Sequence, residues 1–421
     1  WLLLSQGGVV LSIVWMASVD PLVNSLTLMA YAAVLLGFSS ATQDIVIDAF
    51  RIESAESEMQ AILSATYIAG YRIAMIVAGA GSLFLAENFG SSVETYSYEA
   101  WRNTYLIMAA CMGIGILTTL VRPEPKVEVK TAHHDTKEYL NFFFMFLVVV
   151  ACFVAAFALS ADLVAVAKKG LGEALDNEAL AGLLVGSLRL IGAIGVGILV
   201  ALGIKKSKFL STTMLEKGYI EPVKEFFVRY KTSLALLLLA LVGVYRISDI
   251  VLGVISNVFY QDLGFSKSEI ASAVKTFGVF MSIFGGFVGG VFTKRYGVMR
   301  MLWWGAILAA GTNLLFLMLA NIGHNENVLY GVIAADNLCA GLASAAFIAF
   351  LSSLTNISFT AVQYAVFSSL MTLLPKVIGG YSGSFVDSFG YQWFFLFTTL
   401  IGVPVLWLIH LCSKHFKLKE E

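Results

Sequence analysis

Along this chain the hydrophobic positions run in nearly continuous blocks, each of a length that suits one crossing of a hydrocarbon core, which takes roughly 20 helical residues. The blocks cover 1–18, 24–50, 59–87, 101–121, 139–166, 179–204, 233–262, 266–293, 300–321, 328–352, 360–386 and 391–413. Polar residues gather between them. The pattern predicts an all-α polytopic membrane protein with twelve spans.

The charge between the blocks is lopsided. Arg51, the 122–138 and 205–231 linkers, the 294–300 segment and the tail hold 18 Lys and Arg, whereas the alternate loops hold only Arg102, Lys168, Lys169 and Lys267. Basic loops stay in the cytoplasm, so the C-terminus is expected inside and the loops 88–100 and 322–327 outside. No cleavable signal peptide is expected.

Composition agrees with the block pattern and removes other classes. Residues are 58% hydrophobic and 13% charged, with a mean hydropathy of +0.83, where a soluble domain carries nearer a quarter charged. A formal net charge of −1 offers no concentrated basic face for nucleic acid. Cys111, Cys152, Cys339 and Cys412 lie inside apolar blocks without disulfide or zinc spacing and read as buried thiols. His133-His134-Asp135 sits in a polar linker and reads as solvated, so no metal and no cofactor are expected. No nucleophile–base set emerges, and an enzyme is not expected.

Ten charges fall inside the apolar spans: Arg72, Arg189, Arg246, Lys275 and Lys376, with Asp44, Asp48, Asp162, Asp249 and Asp336. Each costs about 3 kcal/mol at the centre of a lone helix, so each should face a partner, a cavity or a substrate. Together they suggest a polar pathway. Asp162 and Arg189 are expected to form a stabilising pair.

Residues 37–72 align without a gap on 341–376, with Gly37 on Gly341, Ser40 on Ser344 and Ala41 on Ala345. Both copies read helix, short loop, helix and end on a cation, Arg72 or Lys376. Parallel repeats of this kind organise major facilitator transporters, in which two six-helix halves enclose a midplane site. Gly289-Gly290-Val291-Phe292-Thr293-Lys294-Arg295-Tyr296-Gly297-Val298-Met299-Arg300 looks like that superfamily's cytoplasmic loop between helices eight and nine. Its counterpart after helix two is absent, so the first two helices of the family are expected to be missing ahead of Trp1.

The ordered motifs Ser40-Ala41-Thr42-Gln43-Asp44-Ile45-Val46-Ile47-Asp48-Ala49, Gly70-Tyr71-Arg72, Tyr245-Arg246-Ile247-Ser248-Asp249, Asp336-Asn337-Leu338-Cys339 and Ser358-Phe359-Thr360-Ala361-Val362-Gln363-Tyr364-Ala365 resemble the bacterial muropeptide permease family, AmpG. The resemblance covers about 1–121 and 219–413. It implies a major facilitator fold with two pseudo-symmetric halves. It also implies import of anhydro-muropeptides from periplasm to cytoplasm, driven by protons, for peptidoglycan recycling and β-lactamase induction. On this reading 1–121 is the amino-terminal half, 122–138 a cytoplasmic linker, and 139–204 two inserted helices. A second linker covers 205–232, the carboxy-terminal half 233–413, and a cytoplasmic tail 414–421. The partners implied are a small glycopeptide, protons and the lipid bilayer of a bacterial inner membrane.

Such a glycopeptide carries several carboxylates and N-acetylated sugars, so its pocket needs buried cations and amide partners. Arg72, Arg246 and Lys376 suit the first, placed about 20 Å into their helices at 1.5 Å per residue. Asn337 and Gln363 suit the second. Arginine grips a carboxylate with two bonds where lysine offers a point charge, which favours the two arginines as anchors. Arg246 and Asp249, three apart, also have the spacing to neutralise one another. Proton coupling needs a carboxylate that exchanges a proton as access alternates, and Asp249, Asp44 and Asp336 are the candidates. Asp336 has the further options of binding sugar or pairing with Lys275. Asp48, Lys275 and Arg295 read as gating or structural. The competing readings are a carrier of another organic anion, such as acetyl-CoA, and a non-transporting membrane sensor.

Overall fold

The computed structural model describes residues 1–23, 26–91, 95–125, 136–206 and 216–415. The described residues are helical throughout, with short turns and no strand. The helices are α1 Leu2–Ala17, α2 Leu26–Glu53, α3 Gln60–Ile76, α4 Ser82–Asn88, α5 Tyr98–Val121, α6 Thr136–Leu159, α7 Ala161–Leu175 and α8 Glu178–Lys206. They continue as α9 Glu221–Val244, α10 Ile247–Asp262, α11 Lys267–Ile270, α12 Gly278–Tyr296, α13 Val298–Ile322, α14 Glu326–Leu354, α15 Thr360–Gly379, α16 Ser382–Leu400 and α17 Val403–His415. Eleven helical segments are long and apolar enough to cross a membrane, and α1 is a shorter apolar helix. These account for the twelve blocks. The linker residues 126–135, with His133, His134 and Asp135, lie outside the described residues, as do 207–215 and 416–421.

Two compact units form. The first comprises Trp1–Glu128, Ser272–Met301 and Asn337–Ala365, and the second Val129–Ala271, Leu302–Asp336 and Val366–Glu421. Within the first, α1 packs on α2 and α5. Gln6 Nε2 donates to Thr119 Oγ1 at 3.0 Å, and Tyr98 donates to the Ala17 carbonyl at 2.9 Å. Glycine sets the closest approaches. A Cβ on Gly289 would lie 2.6 Å from Leu342 Cα, and one on Gly290 would lie 2.9 Å from Ala61 O and Ala65 Cβ, so α12 presses its backbone against both α14 and α3. Without aqueous drive between spans, such backbone proximity is how membrane helices gain dispersion energy.

Several spans break where the apolar pattern gives no warning. The 139–166 block is two helices, with α6 ending at Leu159 and α7 beginning at Ala161. Arg189 serves this break, not Asp162 as expected: its guanidinium donates to the Phe157 carbonyl and the Ser160 hydroxyl and covers the Phe157 ring. A helix end leaves carbonyls without partners and is negative in potential, so a cation from a neighbouring helix satisfies it well. Asp162 itself is exposed.

The 360–386 block likewise stops at Gly379. Tyr381 caps the next helix and sends its hydroxyl to the Gly182 carbonyl at 2.6 Å, filling a notch where a Cβ on Gly182 or Gly186 would strike the ring. The proposed loop between helices eight and nine reduces to Gly297, whose φ of +86° only glycine adopts readily, between α12 and α13. Cys339 and Cys412 are buried as expected, Cys152 is half-buried, and Cys111 is exposed on α5. An outward thiol costs little where the surroundings are lipid.

The repeat is real at the level of elements but sits in another register. A one-turn 3-10 helix at Ser57–Met59 precedes α3 at Gln60, and its counterpart at Ile357–Phe359 precedes α15 at Thr360, a spacing of 300 residues. The gapless sequence match is four residues, one helical turn, further on, which keeps the same helix face and so the same pattern. Arg72 and Lys376 are therefore not equivalent positions.

Candidate functional site

Two polar clusters interrupt the apolar interior, one in each unit. In the second unit the chain 232–262 would cross as one helix, but it breaks between α9 and α10 at Tyr245–Arg246, where Arg246 adopts φ −97° and ψ 13°. Arg246 binds Asp249 one turn on, and the two side chains remain 25% and 26% exposed, so the pair is accessible as well as mid-span. Arg246, Asp249, Ser256 and Tyr260 recur at helical spacing along one face of α10, while Val251, Leu252, Ile255 and Phe259 bury the other.

Asp336 on α14 joins this cluster. It accepts a hydrogen bond from Thr312 Oγ1 at 3.2 Å, and the charge of Asp249 and the phenol of Tyr260 lie within electrostatic reach of it. Behind it a buried chain runs from Asn313 Nδ2 to Ser248 Oγ at 2.7 Å and on to the Thr398 carbonyl at 2.7 Å. Tyr245 donates to the Leu302 carbonyl at 3.2 Å. These bonds fix the break in α9–α10, so the cation at that break is held by its surroundings.

The first unit holds a tighter cluster, around a residue that sequence pattern places in a cytoplasmic loop. Arg51 is in the last turn of α2 and is buried. Its Nη1 donates to Gln60 Oε1 at 3.3 Å, Ser64 Oγ at 3.4 Å and Ser352 Oγ at 3.1 Å, and its Nη2 donates to Asp48 Oδ1 at 3.3 Å. The guanidinium carbon lies 5.6 Å and 5.3 Å from the Tyr67 and Tyr364 ring centres. Gln60 also donates to the Ile52 and Ala55 carbonyls at 3.0 Å, closing the end of α2. One cation thus ties α2, α3 and α14 together.

The remaining sequence candidates fall as follows. Asp44, one turn before Asp48, is exposed. Arg72 is half-buried on α3. Lys376 is in the last turn of α15 and exposed, near the helix end instead of mid-span, because the helix stops at Gly379. Asn337 is half-buried next to Asp336. Gln363 is buried, and its Oε1 accepts from the Asn356 amide at 2.8 Å, so it closes the turn before α15. Lys275 lies in a π-helical turn, Ala271–Phe277, and is exposed. Arg295 is exposed in the last turn of α12, its guanidinium over Tyr296. The pairing of Asp48 with Arg51 was within reach of the sequence, whereas Gln60, Ser64, Ser352, Thr312 and Ser248 were missed. The Asp48–Arg51 spacing of three was the one local signal, since the other partners arrive from distant sequence.

Comparison with known proteins gives the architecture a place. The sequence profile of the Major Facilitator Superfamily matches residues 1–216 and 234–417. A protein of Rickettsia conorii named "Putative transporter AmpG 4" is 28% identical over 409 residues, covering 97% of this chain and 78% of that protein. The "Anhydromuropeptide permease" of Escherichia coli K12 is 26% identical over 415 residues, covering 98% of this chain and 66% of the permease. An uncharacterized protein of Haemophilus influenzae is 28% identical over 412 residues, or 96% of this chain and 76% of its own length.

Proposed function

The chain belongs to the Major Facilitator Superfamily, and on that premise we propose that it imports anhydro-muropeptides across the bacterial inner membrane by proton-coupled alternating access. The observation that carries this reading is the Arg246–Asp249–Asp336 cluster, charged groups on apolar spans, partly exposed and ordered by hydroxyl and amide partners. A substrate carboxylate competes with Asp249 for Arg246. The displaced Asp249 then adds its negative charge beside Asp336, and two carboxylates in one low-dielectric site favour holding a proton between them. Substrate and proton loading are thereby linked.

Within this reading Arg246 is the anchor and Asp336 the proton site, and the Arg51 cluster is a structural tie at the end of α2. Asp44 is a second, more exposed carboxylate on the path. The permease-named relatives, which align with nearly the whole of this chain, support the cargo. The helices α6 to α8 make up the insertion at 139–204, the basic linkers and tail face the cytoplasm, and the imported cargo serves peptidoglycan recycling and β-lactamase induction.

Uptake of radiolabelled anhydro-muropeptide into right-side-out vesicles from cells expressing the protein tests this directly. Accumulation that an uncoupler abolishes is the expected result. Absence of uptake, with the protein inserted and folded, would remove the muropeptide assignment and leave the anion carrier without a known cargo.

A further inference from the structure

A second cationic site lies in the first unit, where α3 and α12 run antiparallel. Their contact is closest between Ala61, Ala65 and Ile68 on one side and Gly286 and Gly290 on the other. A Cβ on Gly286 would lie 3.7 Å from Ile68 Cγ2, and one on Gly290 would lie 2.9 Å from Ala65 Cβ. Following both helices away from Gly290, each passes into a π-helical turn: Val77–Gly81 after α3, and Ala271–Phe277 before α12. Gly79 stands eleven residues beyond Ile68, and Lys275 eleven before Gly286, so the two turns lie at one level. Single π turns of this kind are rare and concentrate at functional sites.

At that level the pair opens. Val77, Ala78, Gly79 and Ala80 are exposed, nothing lies within 4 Å of a Cβ placed on Gly79, and Ser272, Lys275 and Thr276 are exposed on the opposite turn. The sequence of contacts also fixes which cations lie along this contact line, Lys275 at the opening and Arg72 short of it. Arg72 follows Ala61, Ala65 and Ile68 at helical spacing of three and four, which puts it on the face of α3 that meets α12. Lys275, eleven residues from Gly286 and about three turns away, lies on the same side of its own helix. An exposed ammonium in a membrane span costs about 3 kcal/mol against lipid, so this position favours a wet cleft. Among the described residues no carboxylate pairs with Lys275.

We propose that Arg72 and Lys275 form a two-cation cleft that binds an extended dicarboxylate. Lys275 is seven residues further along the helix pair than Arg72, which is about 10 Å at 1.5 Å per residue. That separation matches two carboxylates roughly three extended peptide residues apart, at about 3.4 Å each. The two cations read the spacing of a ligand's charges, and the hydroxyls of Ser272 and Thr276 border the Lys275 end. Peptide stems with spaced carboxylates fit this cleft if the transport reading holds, but the cleft itself rests only on α3 and α12.

The test uses linear α,ω-dicarboxylates from succinate to sebacate, which carry no sugar or peptide. The full chain in phosphatidylcholine nanodiscs, whose headgroups have no net charge, is melted with each acid. Stabilisation is expected to peak for acids whose carboxylates lie about 10 Å apart. Lys275→Met and Arg72→Met are each expected to weaken the best acid roughly tenfold, the scale of one charge-assisted hydrogen bond, while Lys275→Arg retains it. Arg102→Met, at an exposed cation outside both polar clusters, leaves this binding unchanged, and the melts contain no muropeptide, so failed muropeptide uptake and failed dicarboxylate binding are separate outcomes. A flat length series, an undiminished response in Lys275→Met, or stabilisation by phosphatidylglycerol but by no dicarboxylate would each overturn the proposal.

Discussion

Arg51 shows how far a single side chain can depart from its neighbourhood in sequence. Hydropathy places it at the edge of a span, and three residues earlier Asp48 offers an ordinary local partner. What buries it is Ser352, brought from 301 positions away, together with Tyr364 and the two acceptors on α3. No periodicity reports such a meeting. Arg51→Ala is expected to destabilise the protein by about 3–5 kcal/mol, since it strands Asp48 without its cation in a low-dielectric site. Arg51→Lys should recover only part of this, because one ammonium cannot match a planar fork with acceptors on three helices. Thermal unfolding in detergent measures both. A melting temperature unchanged in Arg51→Ala would show that the cluster contributes nothing to stability.

At the scale of elements, the apolar blocks located every span, because burial in lipid demands continuous hydrophobicity, but not every end: the blocks 139–166 and 360–386 overrun helices that stop at Leu159 and Gly379. The same continuity hid the breaks. Ser160, Arg246 and Gly380 sit within runs whose hydropathy does not change, and at Ser160 the break is held by Arg189, which arrives from another helix to bind the Phe157 carbonyl. That is why Lys376 reads as mid-span in the sequence and is in a last turn in the fold. Helix contacts were legible only as small-residue clusters. Their consequence is now specific: Gly289→Ala sets a methyl 2.6 Å from Leu342 Cα and should cost about 1–3 kcal/mol, whereas Gly311→Ala, with nothing within 4 Å, should be neutral. Equal melting temperatures for the two variants would mean that α12 and α14 move apart freely.

For the whole molecule, Arg246 and Asp249 were readable from their spacing, since the pair forms within one turn. The setting of Asp336 was not, because its hydrogen-bond donor, Thr312, belongs to another helix. That bond gives a way to separate coupling from binding. Asp336→Asn keeps an acceptor for Thr312 but cannot carry a proton, so it is expected to abolish uncoupler-sensitive accumulation while sparing counterflow exchange across the vesicle membrane. Loss of both to the same degree would assign Asp336 to substrate binding or to structure instead. If Asp336→Asn changes neither, the proton passes elsewhere, and Asp44 becomes the next residue to substitute.

The contact between Tyr381 and Gly182 has a bearing on how the protein is made. During synthesis α8 leaves the ribosome with its glycine notch empty, and the tyrosine that fills it is translated 199 residues later. Until then only Lys168, from the preceding helix, borders that notch. A chain arrested short of Tyr381 would present an unfilled groove within the bilayer, a mark by which membrane proteases could tell an unfinished copy from a finished one.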